Sequence, residues 1–243
     1  MGNQMGFESA KRALETLLER EWQLRGSAPK EYLRFLQEKY PGEQWVSSVA
    51  EDSFYLRRDM PEIMMRGTNQ IVFYLSDGYV CKATTINDKV VLSTHHIFAN
   101  GDYATASEST IRVLKELGFE VPEHHYIEVQ RVGESFKVKE HGLAFVIATD
   151  LSEDGRYKVE DVTAEHFRYL NNGQELQRQF KQGVKRLLDI HRHKNMLYSM
   201  SINGHGTMME PQEAIERTFL IQIDSVTHTG KLVLGDLDNL SLR

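Results

Sequence analysis

Residues 70–86 constrain the fold more than any other part of the chain. Gln70 to Leu75 and Tyr79 to Ile86 are period-two segments rich in β-branched and aromatic residues, separated only by Ser76-Asp77-Gly78. An Asp-Gly step accepts the positive φ angles of a tight turn, so the pattern predicts an antiparallel β-hairpin. A lone hairpin is marginal in water and needs further strands or a covering helix. Lys89 to Leu92 follows the Asn87-Asp88 turn as a candidate strand. Tyr126 to Val132, Phe136 to Lys139 and Leu143 to Thr149 read as three more, and Phe219 to Asp224 with Lys231 to Gly235 as a last pair around Thr229-Gly230.

Helical periodicity supplies the cover. Phe7, Ala10, Leu14, Leu17, Leu18 and Trp22 recur at three- and four-residue steps, which predicts an amphipathic helix over residues 7–25. A second helix runs from an N-cap at Ser27 to the stop at Pro41-Gly42. Ala104 to Leu117 is a third, ended by Gly118, and Gln174 to His191 is the clearest of all, with Leu176, Phe180, Val184, Leu187 and Leu188 on one side. Strands and helices are segregated, so the fold class is α+β and not a doubly wound parallel sheet. Ser152-Glu153-Asp154-Gly155 reads as a polar linker, with a boundary near Thr149 to Asp161.

Charge and cysteine content narrow the function classes. A formal charge of −6 argues against a protein that grips a nucleic-acid backbone. The single cysteine, Cys81, rules out an internal disulfide framework and fits a reducing compartment. No stretch approaches the roughly 18 apolar residues that span a bilayer, and the N-terminus has no secretory apolar core. A cytoplasmic protein without a membrane partner is the expectation.

Chemistry enters at the run from Arg66 to Lys82. Gly67-Thr68-Asn69 precedes the hairpin, and the hairpin's second strand carries Lys82. Backbone N–H groups in a side-chain-free turn can approach phosphate oxygens, and an ammonium on a rigid strand is a fixed positive charge. This run resembles the opening of phosphotransferases of the aminoglycoside and choline kinase type, within the protein-kinase-like superfamily. The helix from Ser107 to Gly118, followed by Val121-Pro122, is similar to that family's next element. The strand Leu143 to Leu151 resembles its interlobe hinge, and the helix ending Leu187 to His193 the one before its catalytic loop.

The resemblance implies a kinase-like architecture. An antiparallel N-terminal lobe with one inserted helix would span residues 61–150, after a helical extension over 1–60. A small, mainly helical, reduced C-terminal lobe would span 151–243. It further implies ATP as cofactor, held by Gly67, Thr68, Asn69 and Lys82, with Glu108 pairing the lysine and Thr149 and Leu151 at the adenine hinge. Gly235-Asp236-Leu237-Asp238-Asn239 is similar to the acidic turn that holds magnesium, which makes Asp236 and Asp238 the leading Mg²⁺ ligands.

The catalytic loop departs from the family pattern. The best match, His205-Gly206-Thr207 with Gln212 as a further metal ligand, places threonine where an aspartate is expected. Glu213 with Thr218, or His191-Arg192-His193 with Asn195, are other placements, and each loses a group. Two readings stay open: an enzyme passing the ATP γ-phosphate to a hydroxyl of a small-molecule or protein acceptor, or a pseudokinase that presents a nucleotide- or protein-binding surface. The histidine pairs His95-His96, His124-His125 and His191/His193 raise a metal centre as a further alternative, against which a two-residue step on a helix points the side chains to different faces. The N-terminal helices would bind a partner, dimerise, or pack on the sheet.

Overall fold

A computed structural model describes residues 2–25, 30–39, 41–42, 52–57, 59–66, 70–86, 89–92, 108–140, 144–153, 155–194, 210–235 and 237. The fold is α+β with antiparallel sheets, and it divides into two compact units. The first comprises residues 1–100 and 124–150, the second residues 101–123 and 151–243.

The first unit is built on the hairpin. Strands β3 (Gln70–Tyr74) and β4 (Tyr79–Ile86) pair antiparallel from Tyr74↔Val80 to Gln70↔Thr84. Asp77 and Gly78 both have positive φ, 52° and 76°, and the Tyr79 amide donates to the Ser76 carbonyl at 3.0 Å. That is a type I′ turn, the two-residue connection whose twist matches the strands. Strand β2 (Ile63–Arg66) adds to β3. On the other side of β4 lie β8 (Phe145–Thr149), then β6 (His124–Val132), then β7 (Ser135–Glu140). The far end of β4 pairs with β5 (Lys89–Val91), which pairs with β1 (Ser53–Tyr55).

Helix α1 (Gly2–Arg25) lies on this sheet as part of its core. Phe7, Ala10, Leu14, Leu17 and Leu18 are buried against Phe73, Cys81, Phe145, Ile147 and Phe136. Two carboxylates on α1, Glu15 and Glu19, accept the Val138 and Phe136 amides of edge strand β7 at 2.9 and 3.2 Å. They satisfy donors that an edge strand would otherwise expose to another chain's strand. Helix α2 (Lys30–Lys39) follows.

The second unit contains α3 (Glu108–Glu116) and a three-stranded sheet of β9 (Tyr157–Asp161), β10 (Phe219–Asp224) and β11 (Thr229–Leu234) in the order β11-β10-β9. It also holds α4 (His166–Tyr169), α5 (Gly173–Lys194) and α6 (Pro211–Arg217). Gly118 ends α3 at φ 79°, with the Gly118 amide donating to the Lys115 carbonyl and the Phe119 amide to the Leu114 carbonyl. These close a Schellman motif, as the glycine predicts. Leu170, Leu176, Ile221 and Ile223 form a core. Gly183 of α5 faces Phe219, where a Cβ would come within 2.8 Å of the ring.

Two local expectations change. The last hairpin turns through Ser225 to His228, with Thr229-Gly230 already in β11. The Asp224 carboxylate accepts the Val226 and Thr227 amides there, which fixes the turn earlier and holds its pKa below the ordinary value. Where the sequence reads as polar linker, the Ser152 and Glu153 carbonyls accept the Tyr157 and Arg156 amides, and the chain continues into β9, a strand paired with β10 from Asp161↔Leu220 to Tyr157↔Asp224.

Candidate functional site

Alternation along the strands sorts the first unit's sheet into two faces. Tyr79, Cys81 and Ala83 of β4 join the α1 core, as do Ile71 and Phe73 of β3, Phe145 and Ile147 of β8, and Ile127 and Val129 of β6. Val80, Lys82 and Thr84 therefore belong to the opposite face. Lys82 sits at mid-strand, paired with Val72 on one side and Val146 on the other, and Val146 pairs in turn with Tyr126. The neighbouring row is Tyr74, Val80, Ala148 and His124. Val80, Val146 and Ala148 are buried and Lys82 is half-buried.

This arrangement places one ammonium on a rigid strand among branched apolar side chains. Lys82 and Tyr126 lie on either side of Val146, about 10 Å or two strand spacings from each other. Lys82, His124, Tyr126 and the buried Asp150 at the end of β8 all have interaction partners. Cys81, next in sequence, points the other way. Burial pushes its thiol pKa well above the ordinary value, so the cysteine is a core group and not a nucleophile.

The other expected site residues are distributed as follows. The backbone of Thr149 pairs with Tyr79, and its side chain falls on the α1 face by alternation. Leu151 belongs to the second unit, where its carbonyl accepts the Gln222 amide at 2.7 Å. Gln212 lies in the first turn of α6 and donates to Glu216 at 2.8 Å. Glu108 opens α3, also in the second unit, and its side chain lies outside the described residues. Gly67, Thr68, Asn69, His205, Thr207, Asp236 and Asp238 lie outside the described residues.

Sequence reasoning reached Lys82 but missed its setting. Val72, Val80, Val146, Ala148, Tyr126 and His124 share its face only once strand pairing is known. The period-two pattern carries the face but not the partner strand. Among the described residues, no group of three or more His, Cys, Asp or Glu side chains could hold a metal ion, and no helix is long and apolar enough to cross a membrane.

Two polar clusters are structural. In the first unit Glu21 is fully buried and accepts from Arg57 at 3.1 Å and Arg20 at 3.0 Å, and Arg20 also binds Glu62 at 2.8 Å. In the second unit the buried His166 accepts the Thr163 amide at Nδ1, 3.0 Å away, so Nε2 carries the proton donated to Glu160 at 2.8 Å. Glu160 is held below its ordinary pKa by Lys158 and His166, and this cluster ties α4 to β9. Comparison with known proteins finds no family model, no curated protein and no solved structure that matches this chain.

Proposed function

We propose that the protein is an ATP-dependent phosphotransferase-like protein, binding the nucleotide through Lys82 and directing its γ-phosphate to a hydroxyl of a small-molecule or protein acceptor. The observation that carries this reading is the position of Lys82: mid-strand in an antiparallel sheet, among Val72, Val80, Val146 and Ala148, on the face away from α1. A cation on a rigid strand is fixed in place, so it can meet a phosphate without the ordering cost that a lysine on a flexible loop would carry. The valines and alanine beside it suit the flat apolar face of a base.

The sequence resemblance supplies the remaining roles. Gly67, Thr68 and Asn69 would offer backbone N–H groups to the phosphates. The donor set at Asp236 and Asp238 fits Mg²⁺, a hard cation that takes carboxylate oxygens. When bound, magnesium supplies neutralisation of phosphate charge. The chain's own contribution is to hold the nucleotide and exclude alternative phosphate positions, since this chemistry depends on positioning more than on a base.

A second reading is favoured by Thr207, which stands where the family carries an aspartate. A threonine hydroxyl does not accept the acceptor's proton at neutral pH, so a protein that binds ATP without transferring phosphate is the pseudokinase form of the same proposal. Calorimetric titration with ATP, with and without Mg²⁺, tests both. Saturable binding in the wild type that is lost in Lys82→Ala, at unchanged melting temperature, supports the site. Absence of binding at millimolar ATP removes the nucleotide site and leaves the protein-binding form of the pseudokinase reading. Asp236→Asn should abolish the magnesium dependence, and unchanged dependence would place the metal elsewhere.

A further inference from the structure

Helix α5 carries Arg178, Lys181, Lys185, Arg186, Arg192 and Lys194 against Glu175 and Asp189, a formal +4 in a chain whose total is −6. These cations are not equivalent. Arg178 pairs with Glu175 at 2.8 Å, and Arg186 lies over the Phe119 ring at 5.4 Å. Lys181, Lys185 and Arg192 have no ion pair among the described residues, and all three are exposed.

Those three cations, together with Asp189 between Lys185 and Arg192, border a groove of about 320 Å³ between α5 and α6. Its floor is Phe180, Val184 and Leu188, at four-residue steps along α5. Gln212 and Glu216, bonded to each other at 2.8 Å, form the α6 wall. At 1.5 Å per residue the apolar row is about 12 Å long, and the cationic row beside it about 16 Å, or three helical turns. The site is thus elongated, with an apolar stripe beside a row that is cationic at Lys181, Lys185 and Arg192 and interrupted by Asp189.

We propose that this groove docks an amphipathic helix of a partner protein, with apolar residues at three- and four-residue steps and carboxylates on the flanking positions. The apolar row would fill the groove over Phe180, Val184 and Leu188, the helix-in-groove mode of recognition. The carboxylates would meet Lys181, Lys185 and Arg192, which select an acidic partner and speed its approach. A compact anion would use the cations but leave the apolar row idle. The surface shares Gln212 with the metal ligands expected from the resemblance, whereas Lys181, Lys185 and Arg192 have no part in the nucleotide reading.

The test uses the full chain and a fluorescein-labelled helical peptide of roughly 14 residues, with Leu at the repeating positions and Glu on the flanks, read by anisotropy. Saturable binding is expected, weakened about tenfold in the Lys181→Glu/Lys185→Glu variant. A Lys-flanked peptide should bind that variant better than it binds the wild type. The variant's melting temperature should be unchanged, because both side chains are exposed. Failure of the wild type to saturate, or equal affinity for wild type and variant, overturns the proposal. So does tighter variant-sensitive binding of dodecanoate or phosphatidylserine vesicles, which would assign the groove to an anionic amphiphile or a membrane surface.

Discussion

At the scale of single residues, Glu21 shows how much of the first unit rests on one charge. Burial alone would push its carboxyl pKa up, but hydrogen bonds and charge from Arg57 and Arg20 outweigh that and hold it below the ordinary value. A carboxyl depressed in the fold adds stability above its unfolded pKa, and that stability is lost as pH falls through the folded pKa. Replacing it removes a charged acceptor shared by two arginines, of which Arg20 keeps Glu62. Because Arg20 and Arg57 are 41% and 29% exposed, the cost falls short of that for a fully buried pair. Glu21→Gln should cost about 2 kcal/mol in urea denaturation at pH 7, and less at acid pH, where the wild-type carboxyl is itself protonated. Equal cost at both pH values would show that the charge carries none of it. Cys81 gives a second check: its thiol should resist alkylation in the native state and react once urea unfolds the chain.

At the scale of elements, the Asp77-Gly78 turn and α1 carry the sheet. Gly78 has φ 76° with open space around it, so Gly78→Ala pays only the left-handed backbone penalty, about 1–2 kcal/mol. Leu14 is fully buried between α1 and the sheet, and Leu14→Ala should cost about 3 kcal/mol. A loss below about 1 kcal/mol would mean that α1 is an appendage to the sheet rather than part of its core. Both elements are legible in the sequence because their signals are local: an Asp-Gly step between alternating segments, and apolar residues at helical spacing. The Gly118 stop is legible for the same reason. Strand β9 is not, since Lys158 and Asp161 face water and only pairing with β10 makes Tyr157 to Asp161 a strand. Helix α6 hides in a polar run whose buried residues are just Ala214 and Ile215. The pairing Lys82↔Val146, which defines the candidate site, joins residues 64 positions apart, beyond any local pattern.

At the scale of the whole molecule, the proposed nucleotide site depends on one lysine, Lys82, on the sheet face away from α1. Lys82→Ala should leave the fold intact, because Lys82 is half-buried and lies on the face away from the α1 core. Its melting temperature should stay within about 3 °C of the wild type. The most direct test is labelling with an ATP analogue that carries an acyl group on its γ-phosphate. An amine held at the phosphates attacks the acyl carbon, forms an amide and releases ATP, and mass spectrometry then locates the modified residue. The account predicts acylation concentrated at Lys82 and suppressed by excess ATP. Labelling spread evenly over the surface lysines, or labelling of Lys82 that excess ATP does not suppress, would contradict it.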